Sequence, residues 1–187
     1  MPRCLNCKVK FTPARFLQKF CNDEKCVDAS IQYAREKVKQ NASKVWQKEK
    51  QTIKTSLKTL TQLESEAKKS FQKFIRLRDS DLPCISCGVK TTELWDGGHY
   101  KKAEIYSGVI FNEMNCHKQC RKCNRFLNGN ELNYRLGLIA RYGEQYANDI
   151  EQLANDTRQM KFTREQLIAK KLQYDIKCKE VLKLTNN

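Results

Sequence analysis

No stretch of this sequence holds enough consecutive apolar residues to cross a bilayer, which excludes a helical membrane protein. The opening run MPRCLNCKVK also lacks the apolar core of a signal peptide, so the chain is expected in the cytoplasm of a bacterial host, with no membrane partner. Histidine is almost missing: His99 and His117 are the only two in 187 residues. Acidic side chains fall well short of basic ones, 21 against 36, leaving a net charge of +15. That imbalance predicts attraction to a polyanion, nucleic acid ahead of anionic lipid. Aromatic residues suited to stacking on bases are few, so recognition is expected to follow backbone shape and to depend strongly on salt.

Cysteine is abundant, with ten residues. A disulfide scaffold does not suit a reducing cytoplasm, and the spacing favours metal instead. Cys4 and Cys7 form a C-x2-C, followed after thirteen residues by Cys21 and Cys26. Cys84 and Cys87 form a second C-x2-C, completed by Cys120 and Cys123. Two such pairs of pairs close two tetrahedral Cys4 zinc sites of structural type. Cys116 and Cys178 are left as buried free thiols.

The chain divides into four parts. Residues 1–28 form a small knuckle whose folding energy comes mostly from its metal. Residues 29–81 contain no proline or glycine before the RDSDLP stop, and apolar residues from Ile31 to Phe74 recur at spacings of three and four. This reads as one long basic amphipathic helix capped by Asp28, or two joined helices with a break near Gln47–Thr52. Its stripe calls for a partner, either the chain's own C-terminal helices or, preferably, a second copy in a homodimer. Residues 82–135 carry the second C-x2-C, a strand in TTELWDGGHY and an irregular loop through KKAEIYSGVIFNEMNC. The chain turns helical after Cys123, with Leu132, Leu136, Ile139 and Tyr142 on one face, and helices continue through 136–187, the last opened by a Thr163–Gln166 capping box.

In the central run CISCGVKTTELWDGGHY…NCHKQCRKCN, a C-x2-C leads into a strand ending at His99. Asn115 stands five residues before the second C-x2-C, and Asn124 directly follows its last cysteine. This order resembles the HNH, or ββα-metal, endonucleases, and most closely the zinc-pinned kind typified by phage endonuclease VII. With the N-terminal quartet, the basic helix and GNELNYR, the whole chain resembles the lambdoid phage NinG (Rap) recombination endonucleases. The resemblance implies a mainly α fold with a small zinc-stabilised HNH-like core, an N-terminal zinc knuckle and a long helix. It also implies a one-metal, His-general-base enzyme cutting branched DNA such as Holliday junctions and D-loops, with strand-exchange proteins as collaborators.

By that resemblance His99 is the general base, Asn124 a ligand of catalytic Mg²⁺ or Mn²⁺, and Asn115 the residue that fixes the loop. The chemistry fits: an imidazole titrates near neutrality, and a hard cation on oxygen ligands stabilises a developing alkoxide. In the family an Asp or His usually precedes the catalytic histidine, where this chain has Gly98. Asp96 is the nearest carboxylate, and a bulge at Gly97–Gly98 is needed to turn it toward His99; Glu104 and Glu131 are its rivals. His117 is assigned to site support, as a zinc ligand, a phosphate contact or a packed side chain. Lys101, Lys102, Lys118, Arg121, Lys122 and Arg125 flank the site as candidate phosphate contacts. The alternative is a non-catalytic, zinc-stabilised DNA-binding or regulatory protein, which would tolerate loss of His99 or Asn124.

Overall fold

The computed structural model describes residues 1–185 as a mainly helical chain with one small two-stranded sheet. No helix among the described residues is long and apolar enough to cross a membrane. The chain forms two compact units, Met1–Lys58 and the part from Thr59 onward.

In the first unit a knuckle around Cys4 leads into α1 (Glu24–Ser56). The Asp23 side chain accepts from the Lys25 backbone N–H at 3.1 Å, so Asp23, not Asp28, caps the helix. Cys26 therefore lies inside the first turn of α1 and is that helix's buried residue. The apolar positions Ile31, Val38, Val45 and Ile53 are exposed within this chain.

The helix expected over 29–81 is two helices, and the break falls at residues 57–59 instead of Gln47–Thr52. Thr59 and Gln62 form a reciprocal capping box: Thr59 Oγ1 accepts from the Gln62 N–H, and Gln62 Oε1 from the Thr59 N–H. This satisfies donors that a new helix would otherwise leave orphaned, so the chain can restart there as α2 (Leu60–Arg78). Leu63, Ala67, Phe71 and Ile75 of α2 are buried against Leu167, Tyr174 and Cys178 of the last helix, α5 (Arg164–Thr185). The Thr163–Gln166 box that opens α5 forms as its sequence suggests.

The sheet pairs β1 (Trp95–His99) with β2 (Cys116–Cys120), antiparallel and in unbroken register from Trp95↔Cys120 to His99↔Cys116. No bulge interrupts Gly97–Gly98. Side chains alternate across a strand, so Gly97 and His99 face one side and Asp96 and Gly98 the other. The first side packs on α2, where Phe71 meets the His99 ring at 5.8 Å. A second core covers the other side, built on Tyr134 and Leu138 of α3 (Glu131–Tyr142) and Ala147 and Ile150 of α4 (Glu144–Asp156). The buried face of α3 is thus Tyr134 and Leu138, while Leu132 and Leu136 are exposed. Gly137 explains the rotation: a Cβ there would lie 1.8 Å from the Ile85 carbonyl oxygen, so the helix rests directly on the cysteine knuckle's backbone.

Candidate active site

Two cysteine clusters frame the molecule's chemistry. Cys4, Cys7, Cys21 and Cys26 form one, Cys84, Cys87, Cys120 and Cys123 the other, and in each the four sulfurs lie within 4.8 Å of one another. Cys7 and Cys21 Sγ are 3.7 Å apart, as are Cys87 and Cys120. A tetrahedron of Zn–S bonds of about 2.3 Å has edges of about 3.8 Å, so both clusters could hold a structural zinc ion. Each knuckle makes the same kind of turn, closed by the N–H of a positive-φ residue, Lys8 in the first and Gly88 in the second, donating to the carbonyl of Cys4 or Cys84. N–H groups that donate to sulfur suit thiolates: Cys120 N–H to Cys84 at 3.3 Å, and Asn130 Nδ2 to Cys123 at 3.4 Å. Cys116 and Cys178 are buried and lie outside both clusters.

The second cluster joins β2 to the residues that follow it. Here the chain makes a single π-helical turn, Lys122–Phe126, before α3 starts at Glu131. This turn carries Asn124 to a cleft of about 250 Å³ whose lining includes Gln72, His99, Lys102, Glu104, Asn124 and Asn128. His99 and Asn124, distant in sequence, are thereby brought to one polar cleft.

The His99 ring nitrogen Nε2 lies 2.8 Å from the Ile110 carbonyl oxygen. A carbonyl only accepts, so Nε2 carries the proton and Nδ1 the lone pair. Burial pushes the imidazole below its ordinary pKa, and the charge of Lys68 acts the same way; the Ile110 bond and Glu104 oppose them without reversing the shift. The ring is therefore neutral at neutral pH. Asn115 is fully buried and straddles the loop: its Oδ1 accepts from the Lys101 N–H at 2.7 Å, and its Nδ2 donates to the Lys101 and Val109 carbonyls.

Asp96 is placed differently from expectation. With no bulge it points to the face opposite His99 and is not among the residues lining the cleft. Its carboxylate accepts from Arg121 Nη2 at 3.1 Å and Asn124 Nδ2 at 3.1 Å, and Arg125 Nε stands 3.5 Å away. Burial raises its pKa, but the Arg121 and Asn124 hydrogen bonds and the arginine charges outweigh that, leaving it below the ordinary value. Because Asp96 engages the amide nitrogen of Asn124, the amide oxygen is left for the cleft. The carboxylate that lines the cleft belongs to Glu104. Glu131 is paired with Lys101 at 2.9 Å.

The basic cluster also separates. Lys102 lines the cleft and donates to Asn128 Oδ1 at 3.0 Å. Lys101 is occupied by Glu131, Arg121 and Arg125 by Asp96, and Lys122 is exposed. Lys118 is no phosphate contact: it is buried, its ammonium donating to the Ser80 carbonyl and lying over the Trp95 ring. His117 is likewise internal and ligates no cysteine cluster. Its Nδ1 accepts from Arg78 at 3.1 Å and its Nε2 donates to the Met114 carbonyl, so it ties the end of α2 to β2. Gln72, Lys102 and Asn128 reach the cleft through packing, and no spacing in the sequence marks Gln72 or Asn128.

A family model described as Bacteriophage Lambda NinG protein matches residues 1–184. The chain is 41% identical over 128 residues to protein ninG of Escherichia phage lambda, a stretch spanning 68% of this chain and 61% of that relative. It is 35% identical over 190 residues to protein ninG of Escherichia phage 933W, spanning 96% of this chain and 92% of the relative. It is 39% identical over 128 residues to protein ninG of Salmonella phage P22, spanning 68% and 62%. No solved structure matches.

Proposed function

The chain belongs to the NinG family of lambdoid-phage proteins, and from that membership and the cleft around His99 we propose a structure-specific DNA endonuclease. Its substrates are branched recombination intermediates such as Holliday junctions and D-loops, made available by strand-exchange proteins. β1, β2, the π turn and α3 are read as a ββα-metal (HNH-like) core. One observation carries this reading. A neutral histidine with its Nε2–H tied to a carbonyl shares a polar cleft with an asparagine whose amide nitrogen is tied to a carboxylate.

In this mechanism His99 Nδ1 accepts the proton of the attacking water, and the Ile110 carbonyl holds the ring in the tautomer that can do so. Asn115 keeps the loop after β1 against the 3₁₀ turn at Val109, which fixes where that carbonyl sits. The oxygens of Asn124 and Glu104 are hard donors of the kind Mg²⁺ or Mn²⁺ takes beside a phosphate. When bound there, such an ion supplies charge stabilisation to the phosphorane and the leaving 3′ oxygen. Lys102, Lys122 and the exposed Arg125 of the π turn hold the DNA backbone. The cysteine clusters take no chemical part; the second fixes the turn bearing Asn124 to the strand paired with that of His99.

The test is cleavage of a labelled four-way junction and its matching linear duplex by wild type and His99→Ala, matched for zinc content and junction binding. Wild type should prefer the junction, and the variant should bind equally but cut about 10²–10⁴ times more slowly. A wild-type protein that binds both yet cuts neither with Mg²⁺ or Mn²⁺ replaces this reading with that of a zinc-stabilised DNA-binding protein.

A further inference from the structure

Phe126 is 78% exposed although it ends the π turn, which several backbone hydrogen bonds close. A single exposed apolar side chain is ordinary and carries nothing by itself. Phe126 differs in how it is held and in what surrounds it. Before it, Cys123 belongs to the second cysteine cluster and Asn124 is bonded to Asp96. After it, the Leu127 N–H donates to the Lys122 carbonyl at 2.9 Å, and the Gly129 N–H to the carbonyls of Cys123 and Asn124 at 3.0 Å. Asn128 is fixed from the other side by Lys102. The ring is therefore presented to solvent by a closed, multiply bonded turn.

That turn is also the floor of the cleft. Asn124 and Asn128, two residues to either side of Phe126, both line it. The neighbours Lys122 and Arg125 are exposed cations, Arg125 with 64% of its side chain accessible. An exposed aromatic ring on a firmly bonded turn that also carries exposed cations, beside the proposed active cleft, fits one occupant, the flat face of a nucleobase flanked by its phosphates. A continuous duplex hides those faces in its stack, whereas a branch point leaves terminal base pairs that can be unstacked at little cost.

We infer that Phe126 is the branch-sensing residue, stacking on a base at the junction's branch point and so selecting branched over linear DNA; this rests on the nuclease reading for its substrate but not for its test. The experiment uses the full-length, zinc-loaded chain in a His99→Ala background, so that binding is read without cutting. A four-way junction carries 2-aminopurine beside the branch point, and affinity is measured for the junction and for the matching duplex. The unaltered Phe126 protein should change the 2-aminopurine fluorescence. Phe126→Ala should abolish that change and lower the junction-to-duplex affinity ratio roughly ten-fold with duplex binding unaltered, and Phe126→Trp should restore both. A Phe126→Ala protein that keeps the fluorescence change and the ratio overturns the inference, as does a parent protein with no fluorescence change at all. Failure of the nuclease reading shows separately, as a wild type that senses the branch point through Phe126 yet cuts nothing.

Discussion

At the scale of single residues, Asp96 and His99 divide the work in a way that their three-residue spacing does not suggest. Asp96 acts on the cleft through Asn124, whose amide nitrogen it accepts, and so decides which atom Asn124 offers. Positioning partners of this kind typically alter metal affinity or activity by about 10–100-fold. Asp96→Ala should therefore raise the Mg²⁺ concentration for half-maximal cutting by about that factor, with activity recovered at high Mg²⁺, whereas Asn124→Ala should not be recovered. A Mg²⁺ titration of both variants decides; equal loss without recovery would mean that Asp96 contributes in some other way. His99 adds a pH dependence whose sign follows from its burial. Its pKa is below the ordinary 6.5, and the proposed mechanism uses the neutral ring. Cutting should be flat with pH above about 6.5 and fall as pH drops through the lowered value, with that limb missing from the residual rate of His99→Ala. The same burial costs stability on protonation: it is fully absent above the ordinary pKa and grows as pH falls, so stability declines on the acid side.

At the scale of elements, the two cysteine clusters belong to different compact units, which makes their contributions separable. Cys84→Ser should loosen the junction of β2 with the π turn and abolish cutting. Cys4→Ser should lose about one zinc per chain and leave the cleft's chemistry intact. Zinc counting beside a junction-cutting assay checks this, and loss of cutting in both variants would tie the first unit to the cleft. Much of this organisation is legible in sequence, because metal ligation imposes fixed spacings and α2 carries its apolar stripe through Leu63, Ala67 and Phe71. The restart at Thr59 is written too, as Thr59-x-x-Gln62, but it lies inside a run without proline or glycine that otherwise reads as continuous helix. Other features are set by tertiary contact and leave no periodic trace. Gly97 and Gly98 suggest a bulge, yet they are small because neighbours press on a regular strand: a Cβ on Gly97 would lie 3.1 Å from Gln72 Cα, and one on Gly98 2.0 Å from Gln119 Oε1. Glu104 stands in the sequence only as one of two rivals to Asp96, with Glu131, and it is the fold that brings Glu104 to the cleft while pairing Glu131 with Lys101.

At the scale of the whole molecule, the proposed endonuclease would make one cut with each cleft, and resolving a four-way junction takes two. We propose that two copies associate through α1 of the first unit. α1 buries only Cys26, while Ile31, Val38, Val45 and Ile53 remain exposed at helical spacing within a single chain. The net charge of +15 opposes self-association in free solution, and phosphates relieve that repulsion when DNA is bound. We therefore expect dimer formation to strengthen with salt in the absence of DNA, while DNA affinity weakens with salt. Val38→Asp with Val45→Asp should then give a monomer by light scattering without loss of zinc. On a plasmid carrying an extruded cruciform, the wild type should produce linear DNA by paired incision, and the monomeric variant should accumulate nicked circles. If the variant is monomeric and still linearises the plasmid in one binding event, the second cut does not come from a second copy held through α1.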